Sequence, residues 1–168
     1  LSRDQDFDRQ QIYPLGRNQE NFKAFIVEGR DFISAWSPDG TRLLYSVYAS
    51  STNLSPMLWA VDASPDTLGE NRIRIPLQTW ADKCVIFNNE IAYCGVPNNL
   101  PEGSGIIREV AKTIPDDLYM VNYRTGAFSL MANFSEELNI TQPTITTDGR
   151  YLFFVDGITS TLHRVQLK

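Results

Sequence analysis

The sequence predicts an all-β protein built from repeated sheets of four short strands. In the clearest unit, two hydrophobic strands flank the turn Asp39-Gly40, and the same arrangement returns at Asp148-Gly149. A variant of the unit, with Asn88 in the turn, lies between them, so that successive turns are 49 and 60 residues apart. Repeats of about 40 to 50 residues with four strands each are typical of propeller blades. We therefore predict a β-propeller segment, in which neighbouring blades bury the sheet faces that a single blade would expose.

The repeats divide the chain into a flexible lead-in and four groups of strands. The lead-in is rich in Asp and Arg, a composition that favours disorder. The groups are a partial blade with strands at residues 11–15 and 22–27, a complete blade, a second complete blade with a long loop insert, and a final blade without a fourth strand. The lead-in and the four groups span residues 1–10, 11–30, 31–77, 78–134 and 135–168.

This count gives thirteen strands, or just over three blades, whereas closed propellers typically hold about four to eight. Open blades expose sheet faces and edges that favour association. We therefore expect either the C-terminal part of a larger propeller or one half of an oligomeric ring. The incomplete last blade favours the first, because an N-terminal strand outside this chain would complete it. Leu1 is not an initiator methionine, which agrees with a processed or partial polypeptide.

Composition and charge exclude several classes of function. Fifteen Lys and Arg residues stand against twenty Asp and Glu residues, which gives a net charge of −5. Nucleic-acid binding depends on Lys and Arg side chains that neutralise phosphates, so we predict no nucleic-acid partner for this acidic chain. No apolar run approaches the roughly 18 residues of a membrane span. We expect membrane association only through a tether that this chain does not contain.

The two cysteines, Cys84 and Cys94, are predicted to lie on neighbouring strands. A three-residue turn at residues 88–90 would place them opposite each other, where Cβ atoms are about 4.5–5.5 Å apart and a disulfide can form. A two-residue turn would instead place Cys84 opposite Tyr93, and two buried thiols are the alternative to a disulfide. A disulfide would indicate an oxidising compartment.

No constellation of residues predicts catalysis or a metal site. His163 is the single histidine and lies in a late strand, where we expect a hydrogen-bonding role, and no Gly-x-Ser-x-Gly elbow is present. Two cysteines and one histidine do not supply the usual four ligands of zinc. The adjacent Asp116 and Asp117 could bind Ca²⁺ or exchange protons, but the polar end of a loop is the simpler interpretation. We predict no catalytic residue, no metal and no cofactor.

Loops at one end of the predicted blades form the expected binding face. They are the crossovers between blades and the loops between second and third strands, at residues 28–31, 48–56, 78–82, 97–115, 136–142 and 156–160. The expected binding residues on this face are Tyr48, Trp80, Asp82, Arg108, Asp116 and Asp117. Trp80 is either an exposed anchor of the kind that interfaces favour or a plug between blades. Trp36 and Trp59 lie in strands and are predicted to be in the core.

Two blocks of sequence carry a resemblance to known propellers. Ser-Pro-Asp-Gly-Thr-Arg-Leu-Leu-Tyr at residues 37–45 resembles the WD40-like (PD40) repeats of TolB-type bacterial propellers. The paired cysteines, with Ala-Tyr-Cys-Gly-Val-Pro at 92–97 and Asp-Asp-Leu-Tyr at 116–119, look like WD40-like propellers of candidate-phylum (Parcubacteria-like) bacteria. This likeness covers about residues 32–168 and implies an extracytoplasmic, often membrane-tethered propeller of unknown function. Where that group has an aromatic-rich stretch in the long loop, this chain has residues 102–112.

The expected function follows from rigid blades that carry a preformed loop face. We expect a non-catalytic, extracytoplasmic propeller, secreted or at the cell surface, that binds a protein partner or a surface ligand. The missing N-terminal blades, or further copies of the chain in a homo-oligomer, are the other expected partners. One alternative is a propeller hydrolase or lyase that uses carboxylates in the central funnel. The other is a structural subunit whose open blade edges polymerise into a surface assembly.

Overall fold

The computed structural model describes residues 1–15 and 22–167, in which fourteen strands form four antiparallel sheets. In each sheet the strands follow one another in chain order. The first sheet contains β1 (Ser2–Asp6), β2 (Arg9–Ile12) and β3 (Phe25–Val27). The second contains β4 (Arg30–Trp36), β5 (Arg42–Tyr48), β6 (Pro56–Asp62) and β7 (Ile73–Ile75). The third contains β8 (Cys84–Ile86), β9 (Ile91–Pro97), β10 (Asp116–Asn122) and β11 (Ala127–Ala132). The fourth contains β12 (Ile140–Ile145), β13 (Tyr151–Asp156) and β14 (Leu162–Gln166).

Short 3₁₀ helices occur only in the loops of this part of the chain. They lie at Ser50–Thr52, Ala81–Lys83 and Arg108–Thr113. None of the described helices is long and apolar enough to cross a membrane.

The two Asp-Gly turns close their hairpins in the same way. Asp39 Oδ1 accepts a hydrogen bond from the Ser37 hydroxyl at 2.6 Å, and Gly40 follows with a φ of 70°. Asp148 accepts the corresponding bond, and Gly149 has a φ of 67°. Glycine adopts this left-handed conformation without the strain that a side chain would add. The turns therefore position the strand pairs where the repeats predicted them.

Three apolar clusters fill the spaces between successive sheets. Strand β5 contributes to two of them, because successive side chains of a strand point to opposite faces. Leu43 and Tyr45 pack against the first sheet, whereas Leu44 packs against the third. Between the third and fourth sheets, Leu118 packs with Phe154. Each inner sheet is thus covered on both faces, as neighbouring blades require.

The segment that was predicted to be a flexible lead-in instead forms β1 and part of β2. Its polar side chains pair across these strands: Gln5 donates to Gln11 at 2.9 Å, and Gln10 donates to Asp4 at 2.9 Å. Asp4 also forms an ion pair of 2.9 Å with Arg30 of the second sheet. The prediction was wrong because it considered only the lack of apolar residues, whereas polar side chains that pair across strands also stabilise a sheet.

The first sheet consequently has three strands where two were predicted. Strand β2 ends at Ile12 and β3 begins at Phe25, so the predicted strands at 11–15 and 22–27 shift and shorten. The loop between them falls largely on residues 16–21, outside the described residues. In the fourth sheet the described residues form three strands, as predicted.

The two strand tryptophans differ in burial. Trp36 is 43% exposed, so its predicted place in the core was wrong. It ends β4 beside the turn, where the Phe22 ring lies 6.3 Å away and packs edge-on against one side of the indole only. Trp59 is half-buried and packs against the apolar cluster between the first and second sheets, with its ring stacked 6.5 Å from Tyr45.

Candidate functional site

The long insert between β9 and β10 (residues 98–115) folds back over the neighbouring sheet. The Gly103 amide donates to the Asn53 carbonyl at 3.0 Å, and the Gly105 amide donates to the Leu54 carbonyl at 2.8 Å. These bonds join the insert to the β5–β6 loop of the second sheet. Two of the loops predicted to share a face are therefore in direct contact.

Tyr48, predicted as a binding residue, is covered by this insert. It is half-buried, and Gly105 lies so close that a Cβ at that position would overlap the Tyr48 side chain and the Leu54 carbonyl oxygen. The Tyr48 side chain therefore packs beneath the long insert and is not an exposed aromatic anchor.

A disulfide joins Cys84 and Cys94, as the three-residue turn predicts. The two residues are directly paired in register, with Cα atoms 4.0 Å apart, and Val85 pairs with Tyr93 beside them. The bond fixes the start of β8 immediately after the crossover helix Ala81–Lys83. The predicted disulfide is confirmed.

Trp80 is a plug between sheets, since only 1% of it is exposed. The guanidinium of Arg108, from the long insert, lies over its ring at 5.0 Å. Arg108 Nη2 also donates hydrogen bonds to both carboxylate oxygens of Asp82, at 2.7 and 2.8 Å. Asp82 and Arg108 remain 48% and 36% exposed, so the pair contributes little stability, about 0.2–1 kcal/mol. Its groups can therefore change partners at low cost.

Asp31 extends this charged group; it ends the predicted face loop at residues 28–31 but was not among the expected binding residues. It lies at an irregularity in the β4–β5 pairing and has a φ of 55°, a left-handed conformation that Asp tolerates better than most residues. Partial burial raises the pKa of Asp31, while Arg108 lowers it and Asp82 raises it. The three charged groups thus lie within electrostatic range of one another, on β4, the crossover and the insert.

Lys83 and Asp116 form a buried ion pair directly beneath this group. Lys83 Nζ lies 2.7 Å from Asp116 Oδ2, which also accepts the Ile140 amide at 2.5 Å. Burial raises the pKa of Asp116 to about 6 against the opposing effect of Lys83, and burial likewise lowers the pKa of Lys83. The other carboxylate oxygen, Asp116 Oδ1, has no hydrogen-bond partner among the described residues.

Asp116 was predicted on the binding face, but it is 1% exposed and joins the third and fourth sheets. The prediction failed because the loop before Asp116 folds over it and the Lys83 side chain reaches it from the crossover. Asn139, also buried, donates to the carbonyls of Ala111 at 2.9 Å and Ile114 at 2.7 Å. These contacts fix the end of the long insert to the fourth sheet.

Around these residues the surface forms a cleft of about 490 Å³ between the third and fourth sheets. Buried Lys83 and Asn139 line it together with the half-exposed Arg108. Its walls carry both positive and negative side chains. The lining residues come from the crossover before β8, from the long insert and from the start of β12. The complete lining consists of Trp80, Asp82, Lys83, Arg108, Glu109, Ala111, Lys112, Asn139, Thr141 and Gln142.

Asp117 lies elsewhere, because neighbouring residues of a strand point to opposite faces. It accepts a hydrogen bond from Asn133 at 2.9 Å and lines a different cleft, between the second and third sheets, with Met57 and Tyr119. Asp116 and Asp117 therefore do not form a carboxylate pair, which removes the basis for the Ca²⁺ or proton-transfer interpretation.

His163 has the structural role that its position predicts. Its ring stacks on Phe154 at 5.3 Å, and Nε2 lies 2.8 Å from the Thr161 hydroxyl. Among residues 1–15 and 22–167, no group of three or more His, Cys, Asp and Glu side chains is arranged to hold a metal ion.

The structure thus brings together Trp80, Asp82 and Arg108 from the predicted set and separates Tyr48 and Asp117 from them. Sequence reasoning missed Asp31, Lys83 and Asn139. Asn139 carried one signal, a polar residue directly before a strand in a crossover. Asp31 carried another, since it ends the predicted face loop at residues 28–31, whereas Lys83 carried none, because its role depends on which loop folds over it.

Comparisons with known proteins support the architecture. No family model matches the chain, and no curated protein sequence matches it. Among solved structures, TolB from Acinetobacter baumannii matches with a TM-score of 0.56 and 16% identity, over 94% of this chain and 35% of TolB. An oligogalacturonate lyase in complex with manganese matches with a TM-score of 0.50 and 14% identity, over 98% of this chain and 46% of the lyase. The chain therefore spans less than half the length of either structure. At this identity the likeness shows the fold alone: the chain has the architecture of part of a β-propeller.

Proposed function

We propose that this chain belongs to a non-catalytic propeller that binds a protein or surface ligand at the cleft beside Trp80, Asp82 and Arg108. The observation that carries the proposal is the preformed loop face, on which the β5–β6 loop, the crossover and the long insert are joined by hydrogen bonds and ion pairs. Binding sites of this kind are commonly placed on loops that a rigid scaffold holds in position.

The chemistry of the cleft suits recognition of a polar surface. Arginine is enriched at interfaces, and the planar Arg108 group is already oriented by Trp80 and Asp82. A partner that offers a carboxylate to Arg108, or a cation to Asp82, can exchange with the exposed ion pair. Little ordering of the protein is needed, which lowers the entropic cost of binding.

An extracytoplasmic location, at the cell surface or secreted, is part of the proposal. The Cys84–Cys94 disulfide supports it, because disulfides persist in oxidising compartments. We also propose that a membrane tether holds the full-length protein and that further blades complete the propeller. The narrower resemblance to PD40 propellers of Parcubacteria-like bacteria is part of the same proposal.

The test uses a photo-crosslinking amino acid placed at Glu109, which lines the cleft, in cells that produce the protein. We expect adducts from this position and none from the same substitution at Glu90, in the turn at the opposite end of the third sheet. The substitution R108E should abolish the adducts, while R124E, near Glu90, should leave them unchanged. Equal adducts from both positions, or adducts insensitive to R108E, would contradict the proposal.

The hydrolase or lyase alternative has one supporting observation, the raised pKa of Asp31 beside Asp82. Incubation with oligogalacturonate, the substrate named for one structural neighbour, tests it. Cleavage that D31N abolishes would favour an enzyme over a binding platform.

The structural-subunit alternative is tested by sedimentation of the chain at several concentrations. Concentration-dependent polymerisation would favour a structural subunit over a binding platform.

A further inference from the structure

A third cleft, of about 560 Å³, lies between the first and second sheets and shares no lining residue with the cleft at Arg108. Its walls include the buried Val47 and Met57 and the half-buried Trp59. Phe7, in the turn between β1 and β2, is 57% exposed and lines the cleft from the first sheet. Volumes of about 300–1,000 Å³ with mainly apolar walls are typical of ligand sites.

The turn that carries Phe7 is held in place by contacts with the second sheet. Asp8 Oδ1 accepts the Ser50 amide at 3.0 Å and the Ser50 hydroxyl at 3.1 Å. The Arg30 guanidinium lies 5.4 Å from the centre of the Phe7 ring, and Arg30 is itself paired with Asp4. The cleft therefore exists before a ligand arrives, so binding does not require ordering of this turn.

The charges around the cleft fall into two groups. Asp6 is neutralised by Arg9, which donates to it at 2.6 Å, and Asp8 is engaged by Ser50. Glu28 and Arg74 also line the cleft and are exposed, yet within residues 1–15 and 22–167 neither forms an ion pair. One exposed anion and one exposed cation, neither of them in an ion pair, thus accompany an apolar interior, and Glu28 also attracts Arg9 of the same cleft at longer range.

We propose that this cleft binds a peptide segment in which an apolar or aromatic residue is flanked by one basic and one acidic residue. The apolar side chain contacts Trp59, Met57 and Val47, and the two flanking charges pair with Glu28 and Arg74. The charge complementarity selects a peptide of mixed charge, because an apolar ligand would leave both exposed groups without partners, and a purely basic or acidic one would repel one of them.

The probes are two blocked tripeptides, acetyl-Lys-Phe-Glu-amide and acetyl-Glu-Phe-Lys-amide, titrated into the full chain by calorimetry. We expect one charge order to bind more tightly than the other, and acetyl-Lys-Ala-Glu-amide to bind more weakly than the better of the two. E28Q and R74Q should each weaken the better probe by about two- to fivefold, as expected for exposed ion pairs. The matched controls E102Q and R3Q, exposed charges outside all three clefts, should have no effect.

The double variant E28K/R74E keeps both charges but exchanges their positions, and both residues are exposed, so it should fold normally. It should prefer the opposite charge order. S51W, which places a large ring in the cleft, should abolish binding of both probes, with circular dichroism confirming the fold. An unchanged order preference in E28K/R74E, equal binding of the two orders, or no binding of either probe to the unmodified chain would overturn the proposal.

Discussion

Lys83 and Asp116 lie 2.7 Å apart in an ion pair that is almost completely buried, with 7% and 0% of their side chains exposed. Lys83 belongs to the crossover that enters the third sheet, and Asp116 begins β10, which is hydrogen bonded to the fourth sheet through Ile140. The pair therefore joins two sheets beneath the candidate binding face. Buried pairs of this kind commonly cost more in desolvation than they gain in attraction, which agrees with the raised pKa of Asp116.

We predict that the contribution of Asp116 to stability decreases as the pH rises. Its folded pKa is about 6, above its ordinary value of 3.8, so the folded state holds a proton that the unfolded state has already lost. The contribution is therefore fully present below pH 3.8 and is lost as the pH rises towards 6. Urea denaturation of the unmodified chain and D116N, at several values between pH 3.5 and pH 7 chosen to span this window, measures the effect.

The difference in free energy of unfolding between the two proteins should fall by roughly 3 kcal/mol across this window. The comparison with D116N is needed because other carboxylates act in the opposite direction. Hydrogen bonds from Ser37 and Thr41, for example, lower the pKa of Asp39 to about 2, so its contribution is present above pH 3.8 and is lost as the pH falls towards 2. A stability difference that is independent of pH would show that the pKa of Asp116 is not raised in the folded protein.

Removing one partner of the buried pair should be more harmful than removing both. K83M leaves the Asp116 carboxylate buried without its cation, and we expect a loss of about 3–5 kcal/mol in the free energy of unfolding. K83M/D116N removes both charges and keeps an oxygen that can accept the Ile140 amide, so it should recover about half of that loss or more. A double-mutant cycle in urea at neutral pH provides the measurement, and a double variant no more stable than K83M would contradict the prediction.

Reduction of the Cys84–Cys94 disulfide should lower the free energy of unfolding by about 2–3 kcal/mol. The bond closes a short loop, with the cysteines ten residues apart, so the entropy it removes from the unfolded chain is modest. Intact mass should increase by two hydrogens on reduction. The matched control is C84A/C94A, whose stability should not respond to reductant, and an unmodified chain that is equally insensitive would argue against the bond.

The substitution G105A should release the long insert from the second sheet. Its new Cβ would overlap the Tyr48 side chain and the Leu54 carbonyl, and overpacking of this kind typically costs about 1–3 kcal/mol. Hydrogen exchange should accelerate in residues 98–115 and much less in the strands of the fourth sheet. E102A, an exposed position in the same insert, serves as the control and should exchange like the unmodified chain.

Among the candidate site residues, prediction from the sequence was most successful where the two residues belong to the same hairpin. The turn at residues 88–90 set the register that placed Cys84 opposite Cys94, and no other part of the chain takes part in that pairing. It was least successful for Asp116 and Asp117. Their adjacency in sequence suggested a shared carboxylate site, whereas β10 directs Asp116 into the buried ion pair with Lys83 and Asp117 into the cleft between the second and third sheets.

The first sheet shows the same limit in the fold. Its polar residues lacked the apolar alternation that indicates a strand, and only the partners available in β2 and Arg30 make β1 a strand. Asp31 was missed for a related reason, since its significance depends on Arg108, which lies far along the chain but is carried back by the long insert.

The sequence by itself determined the all-β architecture, the repeated hairpin turns and the disulfide, because each depends on local periodicity or on pairing across a single turn. Only the tertiary structure decided which charges are buried and which face the clefts. The burial of Lys83 with Asp116, and the exposure of Asp82 with Arg108, depend on how the sheets stack and on where the insert folds over them. These contacts join residues distant in sequence, and their energies depend on desolvation, which no local pattern encodes.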